Sequence, residues 1–185
     1  MRQLLVIIFI SFISASFLSS GNIENFRKLN FKKEKIITGA DQVEKYLPYL
    51  KNKRVGMLVN QTSIIGNRSS VDSLRSLKVD IKTIFGPEHG FRGNASNGAV
   101  VTDEVDALTG IPIVSLYGKK RKPSKEDMAA IDIMIFDIAD VGCRFYTNIN
   151  TLADVMEACA ENGKELLILD RPDPNGYVDG PVLDM

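Results

Sequence analysis

The sequence predicts an α/β domain, a doubly wound, Rossmann-like and mainly parallel sheet with helices on both faces. Three observations carry that prediction. Short apolar runs such as Arg54 to Asn60 and Ile131 to Ile138 alternate with stretches of helical apolar spacing. The runs are mainly apolar at their centres rather than alternating, as expected of strands covered on both faces. Each run gives way to a cluster of glycine, proline and polar residues, where a strand must stop.

Taken in order, Asp41 is placed to cap a helix reaching Leu50, with Val43, Tyr46, Leu47 and Leu50 on one apolar face. Arg54 to Asn60 is the first strand, and Ser70 to Leu77, with Val71, Leu74 and Leu77 in register, the next helix. Ile81 to Phe85 is the second strand. A long glycine-rich loop from Gly86 to about Gly110 leads to a third strand at Ile113 to Leu116. Ser124 and Asp127 form a near capping box for the helix after Pro123. Ile131 to Ile138 is a fourth strand, starting near Ile133. Thr151 to Asn162 is a helix stopped by Gly163, and Leu166 to Leu169 is the last strand, ended by the proline-containing segment next to it.

Composition bounds the rest. The chain has 185 residues, 44% of them apolar, enough for one packed domain plus an appendage. Lys plus Arg and Asp plus Glu number 23 each, so no global field draws nucleic acid or an anionic membrane surface. Arg2 is followed by the uncharged stretch Leu4 to Leu18 and then by small residues, the pattern of a secretory signal peptide; the run is shorter than the roughly 20 apolar residues of a spanning helix. The expected organisation is therefore a signal peptide over 1–20, a polar lead-in over 21–40 and a Rossmann-like domain over 41–185. The mature protein is expected to be exported, periplasmic or secreted, with no stable membrane span once the signal is removed. Cys143 and Cys159 are expected to remain unpaired, Cys159 in the core.

In open parallel sheets, ligands bind beyond the carboxyl ends of the strands. The residues just past the successive runs are Asn60-Gln61-Thr62, then Pro87-Glu88-His89-Gly90-Phe91-Arg92, then Tyr117, then Asp137, Asp140, Arg144 and Tyr146, then Asp170, Arg171 and Asp173. Glu88 comes after a proline in a constrained turn, where partial desolvation would raise a carboxyl pKa and suit it to general-acid work; the alternative is a surface glutamate. His89, the single histidine, either orients Glu88, shuttles a proton, or organises its loop. Arg92 and Arg144 suit a carboxylate ligand, against the alternative of salt bridges to Asp137 or Asp140. Asp140 is the candidate second carboxylate and Asp137 the structural one, while Asp170 and Arg171 could pair with each other. No GxGxxG comes after the first strand, and neither a P-loop nor a GxSxG elbow is present. A single histidine and no His/Cys cluster argue against a zinc site, so no metal and no cofactor are expected.

The block Phe85-Gly-Pro-Glu-His-Gly-Phe-Arg-Gly93 resembles the signature of the NamZ (YbbC-like) exo-β-N-acetylmuramidase family. Arg54 to Thr62, Thr109 to Gly118, Ile131 to Thr147, Leu169 to Pro174 and Gly180 to Asp184 are similar to further family stretches in the same order, spanning roughly residues 38–185. The resemblance implies a Rossmann-like catalytic domain that releases non-reducing-terminal N-acetylmuramic acid (MurNAc) from peptidoglycan fragments. It places Glu88 at the family's proposed catalytic glutamate with His89 beside it, and gives Arg92 or Arg144 the lactyl carboxylate of MurNAc to hold. Tyr146 or Tyr117 would stack on a sugar ring, and Asn60 would join the binding residues. Where family members commonly carry Gln, this chain has Ala139, which removes one amide from the cleft. Family chains continue into a second, C-terminal domain, so the expectation from a sequence ending at Met185 is the N-terminal domain alone. The runner-up expectation is a truncated, non-catalytic module that binds muropeptides.

Overall fold

The computed structural model describes residues 36–87, 91–92, 104–143 and 146–174. The expected signal peptide, Glu88, His89, Arg144 and the Gly180–Asp184 stretch lie outside them. Among the described residues no helix is long and apolar enough to cross a membrane.

The elements run α1 (Val43–Leu50), β1 (Arg54–Val59), β2 (Ile64–Ile65), β3 (Arg68–Ser69), α2 (Ser70–Ser76), β4 (Asp80–Gly86), β5 (Glu104–Val105), β6 (Pro112–Ser115), α3 (Lys125–Ala129), β7 (Ile133–Asp137), α4 (Asn148–Glu161) and β8 (Glu165–Ile168). The main sheet has the order β5-β6-β4-β1-β7-β8. Every neighbouring pair is parallel except β5–β6. The parallel strands thus run third, second, first, fourth, fifth across the sheet, and the order reverses between β1 and β7. That is the doubly wound arrangement expected from the alternating pattern.

Strand alternation sorts the core into two layers. Val55, Met57 and Val59 of β1 and Ile133 and Ile135 of β7 face one side, where Tyr46 and Leu50 of α1 and Val71 and Leu74 of α2 cover them. Leu58, Met134 and Phe136 face the other, under Met128 of α3 and Val155, Ala158 and Cys159 of α4. Gly56 lies on this second face. A Cβ there would sit 2.8 Å from Ile131 Cδ1 and 3.1 Å from Phe85 Cε2, so the glycine lets those side chains close over the central strand.

The capping box of α3 forms as expected, with Asp127 N–H donating to Ser124 Oγ at 3.3 Å and Ser124 N–H to Asp127 Oδ2 at 2.6 Å. Gly163 adopts a φ of 61° after α4. Other details differ from expectation. Gln42, not Asp41, is the N-cap of α1, because the Asp41 carboxylate is engaged by the Thr38 hydroxyl at 2.9 Å and the Gly66 N–H at 3.3 Å. Helix α4 begins at Asn148 rather than Thr151. The stretch expected to be one long loop contains β5, which adds an antiparallel edge to β6. The β2–β3 ribbon is not legible in the sequence, since each of its strands is only two residues long. Cys143 and Cys159 are both free, and burial pushes the Cys159 thiol up to about 11.

Gly56→Ala is expected to lower unfolding stability by about 1–3 kcal/mol, the usual cost of overpacking. Chemical denaturation with an unchanged slope would check it.

Candidate functional site

The carboxyl ends of β1 and β7 meet where the strand order reverses, the position at which open α/β sheets bind ligands. The turn after β1 is fastened across this seam by side chains. Ser63 Oγ–H donates to the carbonyl of Asp137, and Asn60 N–H donates back to Ser63 Oγ at 2.9 Å. Ala139 N–H donates to Thr62 Oγ1 at 3.1 Å, and Thr62 Oγ1–H donates to Asn60 Oδ1 at 2.7 Å. Thr62 N–H also donates to Asn60 Oδ1, at 2.9 Å. A backbone N–H can only donate, so the Asn60 atom it meets must be the carbonyl oxygen.

Beneath the seam lies a buried ion pair. Asp137 is fully buried at the end of β7, and Arg171 Nε donates to its Oδ1 at 2.7 Å. Arg171 Nη2 donates to the Ile64 carbonyl at 2.8 Å, so one guanidinium ties the exit of β8 to β7 and to the β2–β3 ribbon. Asp137 Oδ2 has no partner among the described residues. Burial, followed by the Asp137 charge, pushes the Tyr46 hydroxyl well above its ordinary value; that hydroxyl donates to the Ala40 carbonyl at 2.9 Å.

A second ion-pair centre holds Arg92. Its Nε and Nη2 donate to the two oxygens of Asp106 at 2.7 and 2.9 Å, and it approaches Asp72 at 3.4 Å. The guanidinium also lies 4.5 Å from the centroid of the Phe91 ring. Asp106 in turn accepts from the Thr109 hydroxyl at 2.6 Å and the Thr109 N–H at 3.0 Å. The Arg92 hydrogen bonds hold the Asp106 carboxyl below its ordinary range, and the Asp106 hydrogen bonds raise Arg92 above its own.

The sequence candidates divide accordingly. Asn60 and Arg92 share a cavity of about 360 Å³. Asp140 lies in a separate cavity of about 200 Å³, with Asn148 and Arg171 on its rim and Phe136, Ile138 and Leu152 among its apolar walls. Asp140 Oδ1 accepts from Gly142 N–H at 2.9 Å. Tyr117, half-buried, lies just past β6 with its N–H 3.4 Å from Ser115 Oγ, and Tyr146 is exposed beside the start of α4. Arg92 pairs with Asp106 and Asp72, not with Asp137 or Asp140, because β5 brings the Asp106 turn back against it. Arg171 pairs with Asp137 rather than Asp170. The sequence places Thr62 just past the first strand without a role, and gives no place to Ser63, Asp72 or Asp106. Only Asp106 leaves a signal there, in the Asp106-Ala-Leu-Thr-Gly110 turn, where Gly110 takes a φ of 72°. No group of three or more His, Cys, Asp or Glu able to hold a metal gathers among the described residues.

Fold and seam define a doubly wound α/β protein with a polar crevice at the switch point. Residues 55–185 match the family model described as "Exo-beta-N-acetylmuramidase NamZ, N-terminal", and the chain belongs to this family. It is 45% identical over 158 residues to the peptidoglycan β-N-acetylmuramidase NamZ of Bacillus subtilis (strain 168), covering 83% of this chain and 38% of that protein. Two crystal structures of DUF1343 family proteins from Bacteroides fragilis are also similar. One has a TM-score of 0.70 at 47% identity, covering 81% of this chain and 39% of its own. The other has a TM-score of 0.67 at 41% identity, covering 74% and 35%. The chain thus spans well under half the length of each of these relatives.

Both ion pairs can be tested by stability. Arg171→Met leaves the Asp137 carboxylate buried without its cation and should cost about 3–5 kcal/mol, measured by urea denaturation. For Asp106, whose folded-state pKa lies below its ordinary value of 3.8, stabilisation is complete above that value and is lost as pH falls through the lower folded value. Melting temperature should therefore drop as pH falls below about 4, and Asp106→Asn should flatten part of that drop.

Proposed function

We propose that this protein is an exo-acting glycosidase that releases terminal MurNAc from peptidoglycan fragments, with Glu88 as general acid. One observation carries the reading. Strand β4, which leads into Glu88, ends at Gly86 beside β1, so the segment starts at the same edge of the sheet as Asn60 and Asp137. Pro87, the next residue, is buried. Family membership and the β-N-acetylmuramidase from Bacillus subtilis supply the substrate class. Glycosidases of the usual kind set two carboxyl groups around the scissile bond, one protonating the leaving oxygen. In this reading Glu88 donates that proton, His89 orients it, and Asp140 at the exit of β7 is the second carboxylate. Arg144 is the remaining candidate for the lactyl carboxylate, since Arg92 is held by two aspartates.

Export belongs to the same proposal. Its basis is the uncharged Leu4 to Leu18 stretch followed by small residues, which would carry the protein to the compartment holding its substrate.

The test is turnover of a chromogenic MurNAc glycoside. Glu88→Gln should reduce turnover by about 10²- to 10⁴-fold, the range general-acid catalysis supplies, with the melting temperature unchanged. Retained turnover would remove Glu88 from the mechanism. Binding of the glycoside with no turnover by the wild-type protein would replace the glycosidase reading with that of a binding module.

A further inference from the structure

The cavity of about 360 Å³ beside β1 contains an oriented, unused donor. Asn60 is only 9% exposed. Its Oδ1 is saturated by Thr62 N–H and Thr62 Oγ1–H, and Thr62 Oγ1 is itself fixed by Ala139 N–H. The chain of donors therefore has one direction, which sets the amide and leaves both Nδ2 hydrogens without an acceptor among the described residues. That nitrogen is not buried, so the donor end opens to solvent, where a ligand carbonyl can take the place of water.

The rest of the wall tells what that acceptor is attached to. Phe91, 4% exposed, and Ile64 supply apolar surface beside the polar Gln61, Ser63 and Ser69. Arg92, the cation of the cavity, is already compensated by Asp106 and Asp72. An acid would gain little there, whereas a neutral group with a carbonyl at one end and a methyl at the other matches both features. We infer that this cavity is the subsite for the acetamido group of the sugar, with Asn60 Nδ2 donating to its carbonyl oxygen and Phe91 and Ile64 receiving its methyl. The inference rests on the proposed activity for its substrate and adds to it the residues that recognise the N-acetyl group. Thr62 acts through Asn60 as a positioning residue.

The experiment is calorimetry on the protein with the methyl β-glycosides of MurNAc, of its analogue bearing a hydroxyl in place of the acetamido group, and of N-acetylglucosamine. Asn60→Asp keeps the oxygen that Thr62 requires and removes the donor; Ile64→Ser removes apolar wall from a half-exposed side chain. The wild type should prefer the acetamido sugar over its hydroxyl analogue by about tenfold or more. Asn60→Asp should erase that preference and Ile64→Ser should reduce it several-fold. Because the readout is a ratio within each variant, a general loss of stability cannot imitate it. MurNAc binding with the preference intact in both variants overturns the subsite and leaves the muramidase reading standing. An Asn60-dependent preference for N-acetylglucosamine without MurNAc binding supports the subsite and overturns the muramic acid reading. No binding of any of the three overturns both.

Discussion

A carboxylate with no access to water sets the terms for the ligand-facing edge of the sheet. Asp137 ends a strand whose other residues are all buried and apolar, and an ionised group there needs a cation brought to it. Arg171 supplies it, and the strand that delivers Arg171 is the fifth of the parallel set, far along the chain. The pair can therefore form only when β8 has docked beside β7. The same guanidinium then reaches the Ile64 carbonyl, so one buried charge specifies the relative placement of β7, β8 and the ribbon after β1.

The seam above it extends this logic with neutral groups. Ser63 and Thr62 belong to the turn after β1, yet their hydroxyls are committed to the backbone at the exit of β7. Each hydroxyl both donates and accepts, so the network has a direction, and that direction is passed to Asn60. Such chains hold polar side chains in place within low-dielectric surroundings, where a misplaced donor is expensive. Ala139 takes part through its main chain, and its small side chain leaves the network untouched.

Arg92 shows how much of a site is legible in a sequence. Its place next to the Gly-Pro-Glu-His-Gly turn makes it a natural anion holder, and its neighbourhood in the fold is indeed the carboxyl edge. What it meets there is Asp106, brought in by an antiparallel edge strand of two residues inside a stretch that reads as loop. Two residues carry no periodicity, so neither the strand nor the ion pair is visible beforehand. Arg171 likewise reads as a partner for its neighbour Asp170, because adjacency is the only geometry a sequence offers. Asn60 is legible as a residue after a strand, but the orientation of its amide depends on Thr62 and Ala139, which are distant from each other in sequence.

The sequence by itself determined the strand–helix rhythm, the two-faced apolar core, the capping box at Ser124 and the collection of polar residues at one end of the strands. Those features come from local periodicity and from backbone chemistry, which neighbouring residues decide among themselves. Only the tertiary structure decided which charges pair, which cavity each polar side chain lines, and where the strand order reverses. Those outcomes depend on long-range strand pairing. A side chain such as Arg92 or Arg171 is claimed by whichever carboxylate the packed sheet brings to the 2.7 Å of a charged hydrogen bond, whatever its separation along the chain.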